Sequence, residues 1–259
     1  MDGRQLDGLR SQGVWSVFGR ELRVSNLDKV LFPARPGEAP VTKRDLLRYA
    51  AQVAPTVLPY LTRRALNMHR YPNGAQAKGL WHKELPDHAP AWLPRWTNLG
   101  ADPGETQTYL VVDEPAALVW AANFGALEWH AWTSPVDHPH QPAYALVDLD
   151  PGEATGWQDL LVLARLHRTA FDHLGLCARA KLTRLDYTQN AVNKTLVAPY
   201  SPRPAPGAPV SAPIEWDELD DPDLTPDAFT IRTVLQRIAD KGDLFRDVLH
   251  HPQQLPPLQ

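Results

Sequence analysis

The chain has 259 residues, enough to bury a substantial core as one two-lobed domain or two small ones. Its single cysteine, Cys177, excludes an internal disulfide; no apolar run is long enough to span a bilayer; and Met1 is followed by Asp2, Arg4 and Arg10 rather than by a leader-like stretch, so a cytoplasmic protein without membrane contact is expected. The net charge of -4 hides an asymmetry: residues 1–100 hold 15 Lys and Arg against 8 Asp and Glu, a net of +7, while residues 101–259 hold 11 against 22, a net of -11. That division suits an anionic polymer held beside a carboxylate metal site, and it equally suits an acidic tail segment with no such role.

Residues 1–20 show no clear periodicity and read as an extension, after which residues 21–24 alternate as a short strand. Thr42, with Asp45 three residues on, makes a capping-box start for a helix carrying Leu46, Leu47, Tyr49, Ala50, Val53 and Ala54, which Pro55 is expected to bend or interrupt. Residues 70–74 signal a turn, residues 81–96 a structured loop rich in Pro, His and Trp, and a second helix is predicted from after Asp113 to about Ala126. Residues 144–150 then read as a strand running into a Pro-Gly turn, and residues 157–174 as an amphipathic helix stopped by Gly175. Two strands joined by a turn are predicted at 181–187 and 194–199, followed by a proline-rich excursion at 202–213. An acidic run at 215–223 reads as a solvated loop and helix cap, and Thr225-Pro226-Asp227 opens a last helix through Val234, Leu235 and Ile238.

The residues with the clearest chemistry are Asp148 and Asp150. Side chains two apart on a strand project from one face, and two carboxylates there suit a hard cation such as Mg²⁺ or Mn²⁺. The same Asp-Leu-Asp-Pro-Gly run also makes an ordinary exposed turn. Asp186, near the end of the next predicted strand, would complete a trio able to bridge two cations about 4 Å apart, unless it simply forms the turn before Tyr187.

Several blocks recur in a familiar order: Ser-Asn-Leu-Asp-Lys-Val-Leu-Phe-Pro at 25–33, the Thr42-Lys43 helix start, Arg-Tyr-Pro-Asn-Gly at 70–74, Trp-His-Lys-Glu-Leu-Pro-Asp-His-Ala-Pro at 81–90 and Asn-Phe-Gly-Ala-Leu-Glu-Trp-His at 123–130. Val-Asp-Leu-Asp-Pro-Gly at 147–152, Gly-Ala-Pro-Val-Ser-Ala-Pro at 207–213, Trp-Asp-Glu-Leu at 216–219 and Phe-Thr-Ile-Arg-Thr at 229–233 follow. From about Val24 to Leu244 the chain thereby resembles the polymerase domain of bacterial DNA ligase D, a member of the archaeo-eukaryotic primase superfamily that works in non-homologous end joining. The resemblance implies an α+β fold, two-lobed and primase-polymerase-like, with mainly antiparallel sheets flanked by helices. A basic lobe would cover about 21–110, an acidic metal-site lobe about 111–250, and a tail 251–259.

Carried over residue by residue, the resemblance implies that Asp148, Asp150 and Asp186 bind the catalytic metals, usually Mn²⁺. Asn26, Lys29 and Lys43 match a pocket for the 5′-phosphate of the downstream DNA strand, and Trp81 an aromatic that packs on the DNA end. Arg70, His130, Gln189, Lys194 and Arg203 match positions near the incoming nucleotide. His69 stands where a lysine is expected before Arg70.

The resemblance breaks after Gly175. A Ser-x-His motif in a lysine- and glycine-rich strand and turn is missing, and residues 176–181 run almost directly into Leu185-Asp186, as if by an internal deletion of a strand and helices. That segment would supply charge-assisted contacts to the nucleotide's phosphates, each worth about 1.5–3 kcal/mol. Three readings follow: a reduced nucleotidyltransferase that fills gaps or extends DNA ends using nucleoside triphosphates; a non-catalytic DNA-end-binding module; or a relic that folds poorly. With no ligase-type lysine motif and no glycine-rich phosphate loop, an ATP-dependent DNA ligase and an end-binding protein would be separate chains.

Overall fold

A computed structural model describes residues 3–101, 104, 107–147, 149, 155–181 and 194–254. The first twenty residues are not a bare extension: α1 (Gly3–Gly8) precedes a hairpin of β1 (Gly13–Val17) and β2 (Arg20–Val24). The two-residue loop has positive φ at both Phe18 (52°) and Gly19 (74°), which matches the right-handed strand twist. Alternation then buries Trp15, Val17, Leu22 and Val24 on one face.

Next, β3 (Val30–Phe32) pairs with β4 (Val41–Thr42), which leads into α2 (Lys43–Leu61). Thr42 and Asp45 form the expected reciprocal cap, the Thr42 N–H donating to Asp45 Oδ2 at 2.9 Å. Pro55 does not interrupt the helix, which continues through Pro55 and Pro59 to Leu61. Each proline forfeits one helical hydrogen bond, and burial of Val53, Ala54, Val57, Tyr60 and Leu61 outweighs that loss.

The centre is an antiparallel sheet of six strands. β5 (Ala65–Arg70), β6 (Leu80–His82), β7 (Arg95–Thr97), β8 (Thr108–Val111), β9 (Ala126–Trp132) and β11 (Thr195–Val197) lie in the order β11-β9-β5-β8-β7, with β6 also on β5. The helix α3 (Pro115–Asn123) joins β8 to β9, ending short of the expected Ala126 because Gly125 (φ 95°) turns the chain into the strand. One sheet face, with Leu66, Met68, Leu110, Trp129 and Ala131, is buried in the core that also takes in α2 and α3, and Tyr49 stacks on Trp129 at 6.3 Å.

Beyond the sheet, α4 (Trp157–His173), the two-residue strands β10 (Ala180–Lys181) and β12 (Pro213–Ile214), and a 3-10 turn at Trp216–Asp220 form a smaller cluster around Leu161, Ile214, Leu219 and Leu224. Here the structure departs from two predictions and describes two others only in part. Of the predicted strand at 144–150, residues 144–147 join no strand, and residues 148 and 150 lie outside the described residues. The predicted strand at 194–199 is found as β11, which pairs with β9; of the predicted strand at 181–187 only Lys181 is described, in β10 on β12, and residues 182–193 lie outside the described residues. The acidic run is tied down rather than merely solvated, with Glu218 on Arg237 and Lys241, Asp217 on Arg168, and Asp220 on Arg165. The last helix, α5 (Val234–Lys241), starts late because Thr230 and Thr233 cap a preceding turn. No helix among the described residues is long and apolar enough to cross a membrane.

Candidate functional site

The functional face of the sheet follows from strand periodicity. Asn67 pairs across the ladder with His130, His69 with Glu128, and Trp81 with His69, so these five residues share the face opposite the apolar core. At its far end the same face carries an aromatic cluster of Tyr109, Trp132 and Trp96. Polar, ionisable and aromatic groups thus form a row on β6, β5 and β9.

Glu128 is the hub. Its side chain is 4% exposed, and its oxygens accept from Arg203 Nη1 at 2.8 Å, pair with His69 Nδ1 at 2.5 Å and accept from the Tyr71 hydroxyl at 3.4 Å. Burial alone would raise its pKa, but the neighbouring imidazoles and the Arg203 charge outweigh burial and hold the carboxyl well below the usual carboxylate range. Burial pushes His130 the other way, below the ordinary imidazole value, with Arg203 reinforcing the shift. His130 Nε2 lies 3.9 Å from Glu128 Oε1 and is buried with no hydrogen-bond partner; Asn67 Oδ1 is another such atom on this face. Trp81 stacks on His69 at 4.2 Å and 2° and meets His130 edge-on at 4.7 Å, with about half of its own surface exposed. Gly79 permits the close packing beneath: a Cβ there would come within 2.5 Å of His69 Nε2 and 2.6 Å of the Tyr71 ring.

A second group lies at the start of α2. The Lys43 N–H donates to the Lys29 carbonyl at 2.9 Å, fastening the two lysines to either side of the β3–β4 pair. Lys29 Nζ donates to the Pro72 carbonyl at 2.6 Å, which ties this corner to the turn at 70–74. Asn26 occupies the left-handed region (φ 55°), and its carbonyl accepts from the Lys29 N–H. Lys43 is buried, and burial, reinforced by the charge of Lys29, brings its pKa down to about 8. Among the described residues neither lysine is in an ion pair. The first amides of α2 donate within the protein, Lys43 to Lys29, Arg44 to Leu27 and Asp45 to Thr42, so an anion here would be held by side chains rather than by the helix end.

The remaining predicted contacts are dispersed. Arg70 lies 3.6 Å over the Phe124 ring and donates to the Phe124 carbonyl at 2.8 Å, a clamp across the β5–β9 bulge. Lys194 is exposed just before β11, its carbonyl accepting from the Thr133 N–H. Asp148, Asp150, Asp186 and Gln189 lie outside the described residues. His130 and Arg203 do converge, both on Glu128. Glu128 and Asn67 were overlooked in the sequence, although polar residues at every second position of otherwise apolar strands carry the signal.

The class these features define is an α+β domain with helices on one side of an antiparallel sheet and an aromatic, ionisable site on the other. The family model described as LigD, primase-polymerase domain, matches residues 42–184 and 179–245, and the chain belongs to that family, whose members act in non-homologous end joining. It is 30% identical over 289 aligned positions to the multifunctional non-homologous end joining DNA repair protein LigD of Mycobacterium tuberculosis, covering 88% of this chain and 37% of that protein. Against the bifunctional LigD of Bacillus subtilis it is 27% identical, over 91% of this chain and 45% of the relative. The chain therefore spans less than half the length of these relatives. The solved polymerase domain of M. tuberculosis ligase D in complex with DNA matches with a TM-score of 0.78 and 27% identity, covering 90% of this chain and 99% of that one.

Proposed function

We infer that this domain binds DNA ends through a 5′-phosphate and transfers nucleotides there, filling gaps or extending ends during double-strand-break repair. The observation that carries this reading is the Lys29–Lys43 pair, a buried amino group beside a second lysine with no described carboxylate to balance either. A terminal phosphate supplies the missing charge, and two of the three Lys29 donors remain for it after the bond to Pro72. The exposed surface of Trp81 offers a platform for a base, backed by the stack on His69. Arg203 brings positive charge to the same face, half-buried and oriented by Glu128. A divalent cation, Mn²⁺ or Mg²⁺, held by Asp148, Asp150 and Asp186 would neutralise charge on the attacking and leaving oxygens. Nucleoside triphosphates are the co-substrate.

A second reading, a DNA-end binder without catalysis, is favoured by one observation. The family match falls into two stretches that overlap at 179–184, and alignments to relatives run over 289 positions although the chain has 259 residues, so the relatives carry segments opposite gaps. Incorporation of a labelled nucleotide, with Mn²⁺, into a gapped duplex bearing a 5′-phosphate separates the readings. Incorporation that vanishes in the Asp148→Ala/Asp150→Ala variant supports transfer. No incorporation by folded protein bound to the same duplex leaves the end-binding module.

A further inference from the structure

We propose that His69, Glu128 and His130 form an imidazole-rich site for a divalent transition-metal ion of the zinc class, different in ligand chemistry from the all-carboxylate trio. Their donor atoms all lie within 4.8 Å of one another. The β5–β9 register fixes this arrangement, with His69 directly opposite Glu128 and His130 two residues along on the same face. Zinc holds nitrogen and oxygen ligands at about 2.0–2.2 Å, so its donors sit about 3–3.5 Å apart, a contraction of little more than an ångström from the spacing here. Two imidazoles and one carboxylate, with a fourth position open, suit zinc, cobalt or nickel rather than magnesium or calcium, which prefer oxygen.

An independent observation points to a ligand. His130 Nε2 is buried without a hydrogen-bond partner and lies 3.9 Å from Glu128 Oε1, a gap that a bound ion would bridge. Glu128 is already oriented for the role. Arg203 occupies Oε1, which leaves Oε2 to coordinate while the arginine acts as the outer partner that fixes the carboxylate. Gly79 packs against His69 Nε2, which leaves Nδ1 as the donor, and the Trp81 stack fixes the ring plane. On binding, the metal takes the place of the proton between His69 Nδ1 and Glu128 Oε2, and the neutral imidazole carries its single proton on Nε2.

The test uses the full chain, stripped with a chelator and titrated with Zn²⁺ by calorimetry and with Co²⁺ by visible absorption. One equivalent should bind to Asp148→Asn/Asp150→Asn, in which the carboxylate trio is disabled, and the wild type should bind at least as many. His130→Ala and His69→Lys should each weaken binding more than tenfold. Circular dichroism and thermal unfolding report whether each variant is folded, and should His130→Ala fail to fold, His69→Lys carries the test. Absence of a stoichiometric Zn²⁺ site, or a site retained in His69→Lys, overturns the proposal; the latter would mark adventitious binding to exposed histidines such as His250 and His251. The inference does not rest on nucleotide transfer, since metal binding and incorporation are read separately.

Discussion

Replacing Lys43 by methionine should make the free protein more stable and a worse binder of DNA ends. Burial, with the Lys29 charge in support, brings the Lys43 pKa from 10.5 down to about 8. The unfolded chain thus holds this proton more tightly than the folded one. Stability therefore rises with pH between about 8 and 10.5, and below pH 8 the folded state carries the full cost of a buried charge, about 3 kcal/mol at 1.36 kcal/mol per pKa unit. Lys43→Met removes that cost, keeps most of the stem's packing, and should raise the unfolding free energy at pH 7 by about 1–3 kcal/mol while flattening the rise above pH 8. Urea titrations at pH 7 and 9.5 measure this. In parallel, fluorescence anisotropy should show that the wild type prefers a 5′-phosphorylated duplex over a 5′-hydroxyl one, a preference that declines above pH 8 and disappears in the variant. A variant less stable at pH 7 that still discriminates the phosphate would refute both the electrostatic strain and the assignment of the pocket.

Arg203→Ala leaves the Glu128 carboxylate, 4% exposed, without its permanent cation and should cost about 3 kcal/mol in urea unfolding; adding Glu128→Gln should recover part of the loss. Trp81→Ala should leave far-UV circular dichroism unchanged but weaken binding to a duplex end by about 1–3 kcal/mol, as read by anisotropy. For Glu218, burial pushes the carboxyl up, but Arg237 and the Glu215 N–H pull harder and hold it at about 2, below its ordinary 4.5. Its contribution is therefore complete above pH 4.5 and lost as pH falls toward 2, so Glu218→Gln should lower stability by up to about 3 kcal/mol at pH 7 and hardly at all at pH 2. Leu166, 60% exposed on α4, should tolerate replacement by serine within about 0.5 kcal/mol by thermal unfolding.

How much of this was legible in the sequence differs by element, for identifiable reasons. The cap of α2 is local chemistry, Thr42 with Asp45, and it is found as expected. The N-terminal hairpin depends on the Phe18-Gly19 turn, a weak signal beside Asn-Gly, and so read as an extension. β5 and β9 carry no clear surface signal because their polar face is largely buried: Asn67, His69, Glu128 and His130 interrupt an apolar run without marking a solvated side. The α4 periodicity was plain but its burial was not. The helix carries apolar residues on two sides and packs through Trp157, Leu161 and Ala164, leaving Val162, Leu163 and Leu166 exposed. Lys29, Lys43 and Arg203 were legible only through the family resemblance, since no local pattern distinguishes them from surface cations.

The histidine at position 69 shows why a single departure matters. A lysine there would give Glu128 a second permanent cation beside Arg203, leaving the cluster with a net charge of +1. An imidazole gives hydrogen bonding in place of fixed charge, and it gives a lone pair that lysine lacks at neutral pH. Glu128 is held ionised by the neighbouring imidazoles together with Arg203, His130 keeps an unsatisfied nitrogen, and both face the ring of His69. Changing this residue to lysine should therefore remove the metal site, whereas the same change in a purely structural cluster would alter only stability.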